Sequence, residues 1–293
     1  MSARQRHPDN VEGPWFVDDA CIDCDAVRQV APTMIGRSAG QAVVTRQPAT
    51  DPEETTMWRA AITCPTRSLR RDPPQSRPRG LMPQHLGGGV HLTGHNDTAS
   101  FGANAFFVTR PDGNLLVDSP RYTRELVDAF DTAGGIAEIL LTHRDDVADA
   151  DRYAERYDAR VWVHADEQRA APFATDVIEG FDPVRISHGL SCIPVPGHTR
   201  GSVAYVLEDR MLFSGDSLYW SREAGDLAVH ERATWFSLDT QIDSLERLAA
   251  GATFSWVLAG HGDRHETTAA DMHRRLVNLV ADYRAGRPRQ TGW

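Results

Sequence analysis

No stretch of this 293-residue chain reaches the ~18 consecutive apolar residues that a membrane span needs, so a transmembrane protein is not expected. The basic start MSARQRHPDN is followed by no apolar segment of the kind a secretory signal carries, and the chain reads as cytoplasmic. Basic residues are in deficit: 31 stand against 41 acidic ones, a formal charge of −10. That is the wrong sign for wrapping a polyanion, and nucleic acid is not an expected partner. Cysteine is scarce, with four residues in all. Three of them, Cys21, Cys24 and Cys64, fall in the first quarter of the chain, a spacing that in a cytosolic protein suggests a metal or cluster before a disulfide.

The length favours two domains, and the join falls at 70–89, RRDPPQSRPRGLMPQHLGGG, where Pro, Gly and Arg concentrate and no apolar period survives. Upstream, short pieces such as Ala42–Thr45 and a helical stretch around Glu53–Ile62 make a unit near the lower size limit for unaided folding. Downstream, Ala105–Val108 and Leu115–Val117 flank the turn residues Pro111-Asp112-Gly113-Asn114 and read as a hairpin. Apolar strands follow at Ile139–Leu141, Val161–Val163, Ile193–Val195, Val203–Leu207, Met211–Phe213 and Trp256–Leu258, interleaved with amphipathic helices. One helix carries Ile242, Leu245 and Leu248 and stops at Gly251; the last carries Met272, Leu276, Leu279 and Tyr283. The class is α/β or α+β, with mixed sheets covered by helices. Cys192 lies in an apolar strand and reads as core.

Four segments of the second domain each end an apolar strand with a residue type that binds metals. They are Thr142-His143-Arg144-Asp145-Asp146-Val147-Ala148-Asp149, Pro196-Gly197-His198-Thr199, Ser214-Gly215-Asp216 and Gly260-His261-Gly262. Histidine and aspartate just past strand ends can converge at one sheet edge, and neighbouring glycines let the backbone turn sharply. Singly each is an ordinary turn or cap; the four in this order point to a metal site.

As a set these motifs resemble the metallo-β-lactamase superfamily, over about residues 88–293. The resemblance implies an αββα sandwich with one or two ions, zinc or iron, at its edge. It places His143, Asp145 and His198 on the first ion, Asp149 and His261 on the second, and Asp216 between them. The family's usual run is His-x-His-x-Asp-His. Here Asp145 stands where the second histidine is expected, two extra residues precede Asp149, and Ala150 replaces the last histidine. A carboxylate at position 145 adds a hard oxygen donor and makes iron or manganese more competitive with zinc. The alternative for Asp145, Asp146 and Asp149 is an acidic helix start that complements the dipole.

The first domain, read as residues 1–75 with 76–293 as the second, offers Cys21-Ile22-Asp23-Cys24-Asp25-Ala26-Val27 and Cys64-Pro65. Over about residues 12–70 this resembles a bacterial-type ferredoxin domain, a small α+β unit that holds a four-iron cluster through Cys-x-x-Cys-x-x-Cys and a distant Cys-Pro. Val27 occupies the third cysteine position. Cys21, Cys24 and Cys64 could still hold a three-iron cluster, or a four-iron one with an external ligand; the missing thiolate favours a fold that has lost its cluster and serves for docking or as a lid.

The metallo-β-lactamase resemblance implies a metal-dependent hydrolase acting on an ester, thioester, lactone or similar small substrate. Water on the metal, its pKa lowered, would attack a polarised carbonyl, with Asp149 and Asp216 as catalytic carboxylates. The other enzyme reading is a mono- or diiron redox enzyme or oxygenase, served by the ferredoxin-like domain and a redox partner; a third is a scaffold with a decayed site. His95 is a candidate substrate contact, and Trp220, Trp235 and Phe236 could line an apolar pocket.

Overall fold

In the computed structural model, residues 4–287 and 289 are described. The chain divides into two compact units, Met1–Ile136 and Ala137–Trp293. The Pro/Gly-rich segment 70–89 lies inside the first.

In the first unit, β1 (Trp15–Val17) pairs antiparallel with β4 (Leu69–Arg71), and β2 (Ile35–Ser38) with β3 (Gln41–Val44). The β2–β3 turn puts both central residues, Ala39 and Gly40, at positive φ (48° and 76°), the twist a two-residue hairpin loop requires. Two helices, α1 (Ala26–Val30) and α2 (Asp51–Thr63), complete this part. Thr50 caps α2, accepting from the Glu53 N–H, while Asp51, Glu53 and Glu54 complement the helix dipole. Trp15, Val27, Met34, Val44, Met57 and Leu69 share one core. The chain continues as an antiparallel meander of β5 (Gln84–Gly87), β6 (Val90–Leu92), β7 (Phe106–Val108) and β8 (Leu115–Val117), then α3 (Arg124–Thr132).

The second unit opens with three parallel strands, β9 (Glu138–Leu140), β10 (Arg160–His164) and β11 (Asp176–Ile178), with α4 (Ala150–Tyr157) between the first two. A six-stranded sheet follows. It comprises β12 (Val184–Ser187), β13 (Leu190–Pro194), β14 (Val203–Leu207), β15 (Met211–Gly215), β18 (Trp256–Ala259) and β19 (His265–Glu266), in that spatial order. The hairpin β16 (Tyr219–Ser221) and β17 (Asp226–Ala228) branches off after β15. β14, β15 and β18 are buried along their whole length, which is why they read as unbroken apolar runs. α5 (Leu238–Gly251) and α6 (Ala269–Arg284) bring Ile242, Leu245 and Leu248, and Met272, Leu276 and Leu279, into a core with Val206, Leu212 and Val257. Their caps, Ser237 and Thr268, each accept a backbone N–H from the first turn.

Candidate metal centre

The site is built where β9, β13, β15 and β18 end. Past β9 the backbone stays extended to His143 and then winds into a short 3-10 turn, Arg144–Asp146. The Val203 N–H donates to the Thr142 carbonyl (2.9 Å) and the Tyr205 hydroxyl to the Leu141 carbonyl (3.0 Å), tying this segment to β14. Past β13, Gly197 lets the chain turn against α5: a Cβ there would lie 2.2 Å from Gln241 Cβ and 2.4 Å from its Cα. The carbonyl of His198 accepts from the backbone of Trp235 (2.8 Å) and Phe236 (3.1 Å). Gly215 and Gly260 leave no room for side chains either. A Cβ on Gly215 would meet Thr142 Oγ1 at 2.5 Å, and one on Gly260 would meet Asp216 Oδ1 at 2.8 Å and Asp146 Oδ2 at 2.9 Å.

These turns gather two groups of donors. In each, one atom per residue lies within 4.8 Å of the others: His143, His198 and Asp216 in the first, Asp146, Asp216 and His261 in the second. All five residues are buried. Asp216 Oδ2 is 3.7 Å from His143 Nε2 and 3.6 Å from His198 Nε2. Asp145 joins the first group from the side, with Oδ2 3.5 Å from His198 Nε2 and 3.9 Å from His143 Nε2. His261 donates its backbone N–H to Asp216 Oδ1 (3.0 Å), and its Nδ1 lies 2.9 Å from Oδ2.

The charges are strongly interdependent. Burial alone would raise the Asp216 carboxyl, yet the imidazoles of His261, His198 and His143 hold it well below the usual carboxylate range. Burial pushes His143 down to about 4 against the pull of Asp216, so the ring is neutral at pH 7 and carries a lone pair for ligation. His198 beside it lowers Asp145.

Such a set fits a metal ion. Neither His143 Nε2 nor His198 Nε2 hydrogen-bonds to any described residue, although both are buried. A separation of 3.5–4.0 Å is too long for a hydrogen bond. It is near the ~3.3 Å expected between two donors each about 2 Å from a tetrahedral ion. Thr142 Oγ1 lies 3.0 Å from His143 Nδ1 and fixes the ring so that Nε2 faces the other donors.

The structure thus brings together His143, Asp145, His198, Asp216 and His261. It does not bring Asp149 into either group: that residue sits at the N-cap position of α4, its carboxylate 31% exposed and 3.7 Å from Arg152. Asp146 instead lies with Asp216 and His261. Ala150, in the place of a histidine, is fully buried as the first residue of α4. His230 was not singled out in the sequence. It stacks on Tyr219 (3.8 Å, 4° between planes), with Nε2 3.2 Å from the His261 carbonyl. It precedes no motif, and only the fold brings it under the site.

This buried carboxylate–imidazole centre at strand ends defines a metal-binding α/β protein. Residues 92–282 match the metallo-beta-lactamase superfamily, well over half of the chain, and the chain belongs to that superfamily. Residues 17–71 match the 4Fe-4S single cluster domain of Ferredoxin I. A hydroxyacylglutathione hydrolase of Methylobacillus flagellatus is 32% identical over 124 residues, 41% of this chain and 49% of the relative. That of Xanthomonas oryzae pv. oryzae is 28% identical over 176 residues, 59% of this chain and 66% of the relative. The chain therefore spans about half to two-thirds of the length of these curated relatives. The crystal structure of DIM-1 metallo-beta-lactamase superposes with a TM-score of 0.51 at 16% identity, covering 68% of this chain and 96% of the other, which shows the shared αββα fold. Among the described residues no helix is long and apolar enough to cross a membrane.

Proposed function

We propose that the chain is a metal-dependent hydrolase acting on an ester, thioester, lactone or similar small acyl substrate. The observation that carries this is Asp216, a buried carboxylate shared by two groups of donors, beside the buried Nε2 atoms of His143 and His198, which make no hydrogen bond to a described residue. The relatives named hydroxyacylglutathione hydrolase favour a thioester among these substrates. We assign His143, Asp145, His198 and Asp216 to one zinc or iron ion, and Asp216, Asp146 and His261 to a second. Asp146 takes the place that the family resemblance gave Asp149, because it is the carboxylate buried beside His261. A bound divalent ion supplies Lewis acidity toward the carbonyl oxygen and lowers the pKa of water toward neutrality.

The chain's own groups do the rest. Asp216, ionised at neutral pH, is placed to orient water or hold its proton, while His261 steadies the carboxylate from the other side. Trp235 and Phe236, 62% and 50% exposed and held by their N–H groups to the His198 loop, offer an apolar wall to the acyl part. The test is hydrolysis of a hydroxyacylglutathione, aryl esters and lactones by metal-replete protein, with metal content measured alongside. His198→Ala and Asp216→Ala should each lower metal content and activity together. Metal-replete protein inactive on all three classes would overturn the proposal.

A second reading, a non-heme iron redox enzyme, is favoured by one observation: three carboxylates, Asp145, Asp146 and Asp216, stand among the donors. Such oxygen-rich sites suit iron. Activity that requires iron, consumes oxygen and is lost on zinc substitution would select it over the hydrolase.

A further inference from the structure

The cysteine-bearing part of the first unit plays no role in that reading. Cys21, Cys24 and Cys64 are free thiols, and backbone N–H groups are aimed at all three sulfurs. Cys21 Sγ accepts from Ala42 (3.3 Å) and Asp23 (3.5 Å), and Cys64 Sγ from Ser68 (3.2 Å). Cys24 is approached by the Ala26 N–H. Asp23 and Asp25 both adopt positive φ (58° and 65°), which curls the segment 21–26 into a concave turn with its amides inward. Nests of this kind line many iron–sulfur sites, where N–H donors stabilise thiolate and sulfide charge.

The curl is clamped from outside. Buried Arg28 pairs with Asp25 and, at 2.6 Å, with Asp23, and Arg37 reaches Asp23 at 2.8 Å. Both aspartates are thereby engaged and do not substitute for a missing thiolate. A later segment closes over Cys24: Gly102, at φ +86°, approaches so nearly that a Cβ would lie 2.8 Å from Cys24 Sγ and 3.0 Å from Pro65. Nearby, the Asn104 amide donates to Gln29 Oε1 at 2.7 Å.

Spacing separates one ion from a cluster. The three sulfurs are not gathered within 4.8 Å of one another, as the donors of the histidine site are. A single ion about 2.3 Å from each sulfur would draw them to roughly 3.8 Å apart. They still lie within electrostatic reach of one another. Val27, where a fourth thiolate would stand, is 6% exposed and packed with Trp15, Met34 and Met57, so no donor occupies that corner.

We propose that Cys21, Cys24 and Cys64 hold a three-iron, four-sulfide cluster, whose missing corner is the one a thiolate at residue 27 would complete. Ligation of two ferric ions, one ferrous ion and four sulfides forms three iron–cysteine bonds and releases three thiol protons, with no net electron transferred. The site stands independently of the hydrolase reading. The full chain is to be reconstituted without oxygen using ferric and ferrous iron in a 2:1 ratio with sulfide, analysed for acid-labile sulfide, then oxidised by one electron with ferricyanide for electron paramagnetic resonance. The histidine–carboxylate centre takes up no sulfide, so sulfide reports the cysteine site alone. The expected result is about four sulfide per chain, with a paramagnetic signal in the oxidised form. Val27→Cys should add about one iron and move the signal to the reduced form, and Cys64→Ser should lose the sulfide while keeping the metal of the other centre. Absence of sulfide from both wild type and Val27→Cys would overturn the proposal, as would a four-iron cluster in the wild type. Should Val27→Cys fail to fold, the wild-type stoichiometry and Cys64→Ser decide.

Discussion

Asp146 and Asp149 lie three residues apart, and neutralising each in turn separates a ligand from a helix start. Asp149→Asn removes a charge that is 31% exposed and pairs with Arg152 at 3.7 Å, an interaction worth about 0–1 kcal/mol, and asparagine keeps the N-cap preference. Metal affinity should not change. Asp146→Asn acts on a carboxylate that is 1% exposed beside Asp216 and His261. Loss of groups that merely support a ligand weakens metal binding about 10–100-fold, and loss of a ligand should reach at least the upper figure. With metal at roughly 1,000 times the wild-type dissociation constant, binding stabilises the fold by about 4 kcal/mol; a 100-fold weaker site retains roughly 1.4 kcal/mol. The difference, about 2.7 kcal/mol, corresponds to a fall in Tm of roughly 5–10 °C for a chain of this size.

The sign in chelator makes this test sharp. Without an ion, Asp146 and Asp216 are two carboxylates close enough that a Cβ on Gly260 would touch both, at 2.9 and 2.8 Å. Like charges so near repel, so Asp146→Asn should leave the metal-free protein as stable as wild type, or more so. Thermal unfolding with and without chelator, together with chelator competition for affinity, reads both effects. The reasoning is refuted if Asp149→Asn strips the metal while Asp146→Asn keeps it, or if Asp146→Asn costs the same with and without metal.

Three further outcomes follow from particular contacts. Burial first, then Arg77, Arg121 and Arg67, push His95 down to about 3, while Glu125, 3.3 Å from its Nε2 and shared with Arg77, works the other way. The unfolded chain takes up this proton near pH 6.5 and the folded chain only near 3. Stability should therefore fall as pH drops through that window, by about 2–3 kcal/mol between about pH 7 and pH 4.5. His95→Gln should flatten that slope in urea unfolding, and an unaltered slope would count against the burial argument. Gly197→Ala places a methyl 2.2 Å from Gln241 Cβ and should cost about 1–3 kcal/mol, with loss of metal because His198 follows directly; a normal Tm would show that the turn can move. Trp235→Ala, at a residue 62% exposed, should leave stability within about 0.5 kcal/mol of wild type but raise KM for apolar acyl substrates, and an unchanged KM would remove Trp235 from the substrate's path.

Much of the candidate metal centre is visible in the sequence because strand ends carry it. β14 and β8 fall on the apolar runs Val203–Leu207 and Leu115–Val117 without a residue's shift, and His143, His198, Asp216 and His261 each stand two or three residues past such a run. Asp146 does not stand out, because three aspartates share its segment and only the 3-10 turn Arg144–Asp146 decides which one turns inward. β5, at Gln84–Gly87, lies in what reads as a linker; its side chains are half-buried or exposed, so no apolar period marks it. The hairpin β16–β17 is hidden for a related reason, since it packs through Tyr219 and Leu227 within a loop whose spacing matches no regular pattern.

Charge counting makes the number of ions a physical question. Three carboxylates, Asp145, Asp146 and Asp216, give the centre a formal charge of −3, and the imidazole of His143, held down to about 4, is neutral at pH 7. Nearby His230 is also pushed down to about 4 by burial and brings no compensating charge. A buried charge of this size is costly without cations. One divalent ion leaves −1 and two leave +1. Because Asp216 belongs to both donor groups, an ion held by the first group also fixes a ligand of the second. A metal titration followed by Tm should show two increments, the second abolished by Asp146→Asn and both by Asp216→Ala. A single increment insensitive to Asp146 would mean that the carboxylate beside His261 serves the fold rather than an ion.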